Sequence, residues 1–87
     1  MQIMVLEKTH QLVLVNDNDN SYLYVMACLV KICGHDSVTA EQCALITHNV
    51  GKCCIRSGDF LEMLEMKEQL QNLSLKVELE DYASGMY

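Results

Sequence analysis

The sequence contains 87 residues, which is enough for one small domain with a single core. Hydrophobic residues make up 51% of it and charged residues 21%, a globular composition that argues against a disordered chain. Twelve acidic residues against six basic ones give a net charge of −6, which argues against a nucleic-acid-binding surface of clustered lysine and arginine.

The chain start and the cysteines predict a cytoplasmic protein. No apolar run reaches about 18 residues, so a transmembrane helix is not predicted. The first ten residues carry Glu7 and Lys8 and no long apolar stretch, so we predict a short N-terminal arm over residues 1–10 rather than a secretory signal peptide. The five cysteines are an odd number and include the adjacent Cys53 and Cys54, which does not suit a disulfide framework. We therefore predict reduced thiols, with Cys53 and Cys54 buried in a strand.

The chain begins, after the arm, with a predicted strand and helix. Residues 11–15 form a short apolar run with two β-branched valines, which is typical of a buried strand. Residues 16–21 are all Asn, Asp or Ser, a dense cluster of turn formers that ends this strand. Apolar residues then recur with three- and four-residue spacing over residues 22–33, which predicts a helix capped by Asn20 or Ser21.

The middle of the chain predicts a second helix and a second strand. Residues 36–39 offer several capping side chains, and Thr39 with Gln42 fits a capping box. This helix is predicted to end near Asn49, before a glycine. The apolar residues within 52–57 predict a short strand.

The last third predicts a third helix and a third strand. Asp59, with Glu62 three residues later, predicts the start of a helix that ends near Asn72. Apolar and charged residues alternate strictly over Ser74–Glu80, which predicts a half-exposed antiparallel strand. Residues 81–87 are predicted to form a loose tail.

The element order is therefore β-α-α-β-α-β. Three strands and three helices in a chain of this length predict an α+β fold, with a three-stranded antiparallel sheet covered on one face by three helices. The predicted domain spans residues 11–80.

Metal and catalytic motifs are weak. Cys28, Cys33 and His35 lie close in sequence, but zinc sites use pairs two to four residues apart and no second pair of that kind follows. Asp17 and Asp19 resemble the start of a calcium loop, but its later Gly and Glu are missing. No nucleophile–base pair or glycine-rich loop is present. We therefore predict no metal, no cofactor and no enzymatic activity.

The polar loop at residues 16–20 and His48 are the two remaining features. Ala44, Thr47 and His48 share one helix face because they are spaced three and four residues apart. Each feature also has an ordinary structural interpretation, the loop as a solvated turn and the histidine as a hydrogen-bonded structural side chain. Placed together at the edge of a cavity, they would offer acceptor groups to an ammonium ion.

Two short motifs at a fixed spacing resemble the ClpS family. These motifs are Leu14-Val15-Asn16-Asp17, followed by a helix, and then His48-x-x-Gly51-Lys52. The resemblance covers roughly Gln11 to Glu80, and the family has the element order predicted above. ClpS proteins are adaptors that deliver proteins with destabilising N-terminal residues to an AAA+ Clp protease.

The resemblance implies a ligand site with a polar and an apolar part. Asn16 and His48 match the residues that bind the free α-amino group of the ligand. Asn18 replaces a second acidic contact, whose negative charge Asp17 or Asp19 could supply at longer range. The implied hydrophobic pocket consists of Tyr22, Val25, Ala44, Thr47 and Leu75. Tyr22 replaces the family's gate methionine, and Ala44 and Thr47 replace a methionine and a valine.

The resemblance also implies the partners. These are substrate proteins that begin with Phe, Leu, Tyr or Trp and the N-domain of a Clp AAA+ ATPase of the ClpA or ClpC type, with no nucleic acid or membrane partner. Asn18, Ala44 and Thr47 favour an alternative, a degenerate relative that docks on or modulates a Clp ATPase without reading N-termini.

Overall fold

A computed structural model describes residues 9–81 of the chain. Residues 1–8 and 82–87, which hold most of the predicted arm and tail, lie outside the described residues, so those boundaries stay predictions. The elements are β1 (His10–Val15), α1 (Tyr22–Cys33), α2 (Ser37–Val50), β2 (Lys52–Gly58), α3 (Phe60–Asn72) and β3 (Val77–Asp81).

β1 is the central strand of the sheet, which has the order β2-β1-β3 with both pairs antiparallel. Leu12 lies opposite Leu79, and Leu14 lies opposite Val77, so the apolar side chains of both strands face the helices. The predicted α+β fold is confirmed.

The edge strand β2 contains a β-bulge, and side chains at the bulge contact the core and the end of α1. Leu12 pairs with Arg56 and Val13 with Cys54, so Ile55 is an extra residue on β2. The Ile55 side chain is buried in the core. Arg56 Nη1 donates a hydrogen bond to the Cys33 carbonyl oxygen at 3.1 Å, which ties β2 to the end of α1.

Short polar side chains begin each helix. Ser21 caps α1, and Asp59 caps α3 by accepting a hydrogen bond from the Glu62 N–H at 2.7 Å. α2 begins earlier than the predicted Thr39 capping box, because Asp36 accepts a hydrogen bond from the Thr39 N–H at 2.7 Å. The hydrogen bonds from Thr39 hold the pKa of the Asp36 carboxyl below its usual range.

β3 begins three residues later than predicted. The Leu75 N–H donates to the Leu70 carbonyl oxygen at 3.1 Å, so the chain is still attached to the end of α3 at this point. Ser74 has a left-handed backbone with φ of 70°. Leu75 is nevertheless buried, as the alternating pattern predicted, because the turn directs it into the interior.

The core lies between the sheet and the three helices. The most fully buried large side chains of the core are Leu12, Leu14, Leu29, Met63 and Leu70.

Within residues 9–81, no helix is both long enough and apolar enough to cross a bilayer.

Replacing Leu29 with alanine is expected to lower the free energy of unfolding by about 2–5 kcal/mol, because Leu29 is 0% exposed and its loss leaves a cavity. Urea denaturation followed by circular dichroism measures this change. The matched control is Leu23→Ala on the same helix, where the side chain is 72% exposed and the expected change is below about 0.5 kcal/mol. Equal losses in the two variants would contradict the described orientation of α1.

Candidate functional site

A cavity of about 220 Å³ opens where the end of β1 meets α1, α2 and the turn after α3. Its lining includes all nine predicted site residues, namely Asn16, Asp17, Asn18, Tyr22, Val25, Ala44, Thr47, His48 and Leu75. Leu14, Val15 and Asn20 also line the cavity, and the sequence interpretation did not assign them to it.

Backbone hydrogen bonds bring the polar loop beside the end of α2. The Asn16 N–H donates to the Gly51 carbonyl oxygen at 2.9 Å, and the Gly51 N–H donates to the Thr47 carbonyl oxygen at 3.0 Å. Gly51 has a φ of 113°, a conformation that a side chain would strain. His48 lies in the helical turn between these two contacts, and both His48 and Asn16 line the cavity.

The Asp17 carboxylate organises the polar loop. Its Oδ1 atom accepts hydrogen bonds from the Asp19 N–H at 2.9 Å and from the Asn20 N–H at 3.1 Å. The Asn20 side-chain amide lies 3.3 Å from Oδ1 and 3.2 Å from Oδ2. The negative charge therefore stays at the cavity, while much of the carboxylate's accepting capacity is used within the loop.

The apolar part of the cavity combines small side chains with one aromatic ring. Ala44 and Thr47 are 4% and 5% exposed. The Thr47 hydroxyl donates to the Cys43 carbonyl oxygen at 2.8 Å, so this polar group is satisfied within its own helix. The Tyr22 hydroxyl reaches α2 and lies 3.4 Å from the Glu41 carbonyl oxygen. Partial burial and the nearby Glu41 side chain raise the pKa of the Tyr22 phenol.

Comparison with known proteins places this geometry in a family. Residues 6–78 match the family described as ATP-dependent Clp protease adaptor protein ClpS. The chain belongs to the ClpS family. The resemblance predicted from the two motifs is thereby confirmed, and the family consists of adaptors rather than enzymes.

A solved structure shares the ClpS fold of this chain. Agrobacterium tumefaciens ClpS2 bound to L-phenylalaninamide superimposes with a TM-score of 0.81, covering 85% of this chain and 96% of that one. The two sequences are 15% identical, so this comparison supports the fold alone. No curated protein matches the sequence.

The five cysteines are unpaired thiols. Within residues 9–81, no group of three or more His, Cys, Asp or Glu side chains is arranged to hold a metal ion.

Cys53 is half-buried, but Cys54 is exposed, so the prediction that both are buried is wrong for Cys54. The reason is the strand alternation: Cys53 lies opposite Leu14 on the helix-covered face, whereas Cys54 points to the other face.

We expect Cys54 to be the first of the five thiols to react with iodoacetamide. Burial raises the pKa of Cys33 to about 11 and of Cys53 to about 12, so both are almost entirely protonated and unreactive near pH 7.5. The pKa of Cys54 is also raised, so its alkylation is slow near neutral pH and accelerates as the pH rises. Peptide mapping by mass spectrometry measures the order of labelling. Modification of Cys53 before Cys54 in the folded protein would contradict the described strand orientation.

Replacing Asp17 with alanine is expected to lower the free energy of unfolding by about 1 kcal/mol, because the loop N–H groups lose their common acceptor. Urea denaturation measures the change. Asp19→Ala is the matched control, since Asp19 is exposed on the same loop and its removal changes the net charge equally. An equal loss in both variants would indicate that charge, rather than these hydrogen bonds, determines the effect.

Proposed function

We propose that this protein is a non-enzymatic adaptor that binds proteins through a bulky hydrophobic N-terminal residue and delivers them to a Clp AAA+ protease in the cytoplasm. The observation that carries this proposal is one cavity whose lining contains both the polar side chains of Asn16 and His48 and the apolar side chains of Val25, Ala44 and Leu75.

The polar side suits a protonated amino group. An asparagine carbonyl oxygen and the lone pair of a neutral imidazole both accept hydrogen bonds from an ammonium ion, and Asn16, Asn18 and His48 supply these groups. Asp17 adds a negative charge that the loop fixes nearby. A chain N-terminus has its ammonium group next to its first side chain, so one ligand can occupy both parts of the cavity.

The apolar side suits a large side chain. Ala44 and Thr47 stand where the resemblance implies a larger Met and Val, and Tyr22 lines the same cavity. These features support Phe, Leu, Tyr or Trp as the first residue of the bound protein. The ligand of the similar Agrobacterium tumefaciens ClpS2, L-phenylalaninamide, has a free amino group beside a phenyl side chain.

The expected affinity fits a delivery role. Burial of a Phe or Leu side chain contributes roughly 1.5–3 kcal/mol, and each hydrogen bond to the ammonium contributes roughly 1.5–3 kcal/mol. After the cost of association, these contributions correspond to a dissociation constant of roughly micromolar order, which permits release. The family description supports a Clp protease as the receiver, and we propose that the contact is with the N-domain of its ATPase, of the ClpA or ClpC type.

Short fluorescent peptides that differ only in their first residue test the proposal by fluorescence anisotropy. Peptides beginning with Phe, Leu, Tyr or Trp are expected to bind, and the same peptides acetylated at the N-terminus are expected to bind at least about tenfold more weakly, because acetylation removes the charge. His48→Ala is expected to cause a similar loss, whereas Asn49→Ala, an exposed neighbour outside the cavity lining, is the control. Equal binding of free and acetylated peptides would overturn the proposal.

Binding to a Clp ATPase N-domain is measured separately, by calorimetry. Binding of the ATPase without binding of any peptide would favour the degenerate relative. Two observations support that alternative: Asn18 stands where the resemblance implies an acidic residue, and the Asp17 carboxylate accepts hydrogen bonds within its own loop.

A further inference from the structure

Asn20 lines the cavity and connects two of its walls. Its side-chain Nδ2 donates a hydrogen bond to the Ser74 carbonyl oxygen at 2.8 Å, across 54 positions of the chain. The same nitrogen lies 3.3 Å and 3.2 Å from the two carboxylate oxygens of Asp17. A carboxamide has two N–H bonds, so one can serve each partner.

The two partners lead to different parts of the cavity lining, Asp17 directly and Ser74 through its neighbour Leu75. Asp17 is the residue whose carboxylate organises the polar loop. Ser74 has a left-handed backbone and directly precedes Leu75, which is 4% exposed and forms part of the apolar wall. A shift of the Ser74 carbonyl would therefore move the Leu75 side chain relative to the polar loop.

Helix capping does not explain the Asn20 contacts. The cap of α1 is Ser21, whose hydroxyl oxygen accepts a hydrogen bond from the Tyr24 N–H at 3.1 Å. The Asn20 side chain is directed instead to Asp17 and to the turn after α3. Tyr24 reaches the same turn, because its hydroxyl donates to the Leu73 carbonyl oxygen at 2.7 Å.

From this geometry we infer that Asn20 is a positioning residue, which holds the amino-binding loop and the Leu75 wall at the separation that an N-terminal residue requires. The inference rests on the proposed function and extends it, because Asn20 itself need not contact the ligand. It predicts that loss of the Asn20 carboxamide weakens peptide binding through Leu75.

The main variant is Asn20→Ala, and a second variant, Asn20→Ser, keeps one hydroxyl donor. Asn20→Ala is expected to weaken binding of a Phe-first peptide about tenfold, with Asn20→Ser intermediate. In a Leu75→Ala background, the same Asn20→Ala change is expected to weaken binding less than about threefold, because coupled residues are not additive. Gln42→Ala, which removes an exposed carboxamide from α2 outside the cavity lining, is the control and should leave binding unchanged.

Two further measurements separate positioning from general stability. The urea midpoint of each variant is recorded, and affinities are compared only where the protein is folded. A lower midpoint with unchanged affinity in Asn20→Ala would overturn the inference, as would an undiminished effect of Asn20→Ala in the Leu75→Ala background.

The methyl resonances of Leu75 are recorded by NMR in the unliganded protein, so that the test does not depend on peptide binding. If the unaltered protein binds no peptide, the proposed function fails. A shift of the Leu75 methyl signals in Asn20→Ala, absent in Gln42→Ala, would then still support the positioning role, and unchanged signals would overturn it.

Discussion

The hydrogen bond from the Asn16 N–H to the Gly51 carbonyl oxygen joins the end of the central strand to the end of α2. Asn16 directly follows β1, the central strand of the sheet, and His48 lies in the last turn of α2. Because the glycine after α2 adopts a left-handed backbone, the helix can stop and its carbonyl can meet the strand. The positions of Asn16 and His48 in the cavity lining therefore depend on this backbone hydrogen bond and on the backbone conformation of Gly51.

Asp17 and Asn20 belong to a polar cluster that hydrogen-bonds within its own loop and also lines the cavity. The sequence interpretation weighed a solvated turn against a ligand site, and the structure contains features of both. Asp17 accepts hydrogen bonds within the loop, and this arrangement places Asn16 and Asn18 along the cavity. A negative charge that is fixed by its own loop needs no further reorganisation when a cation approaches, which is favourable for recognition.

Much of the fold could be predicted because its signals are local. The short apolar run of β1, the alternation before and within β3, the periodicity of α1 and the aspartate that begins α3 each act over a few residues. The cavity lining could be predicted only through the resemblance carried by the two motifs, since nothing local in the sequence shows that Leu75 and Ala44 line one cavity. The Asn20–Ser74 contact spans the chain without a motif, and the exposure of Cys54 depends on which sheet face the helices cover.

The strand order β2-β1-β3 has a consequence for self-association. Within residues 9–81, β2 and β3 each pair with β1 alone, so each leaves one backbone edge that another chain could extend. Charged side chains are frequent on these strands, with Lys52 and Arg56 on β2 and Glu78 and Glu80 on β3. Adding a strand to either edge would bring such charges against a new neighbour, a common means by which small sheets avoid aggregation. For the adaptor role proposed above, which requires contact with other protein chains, edges that do not recruit a further strand are an advantage.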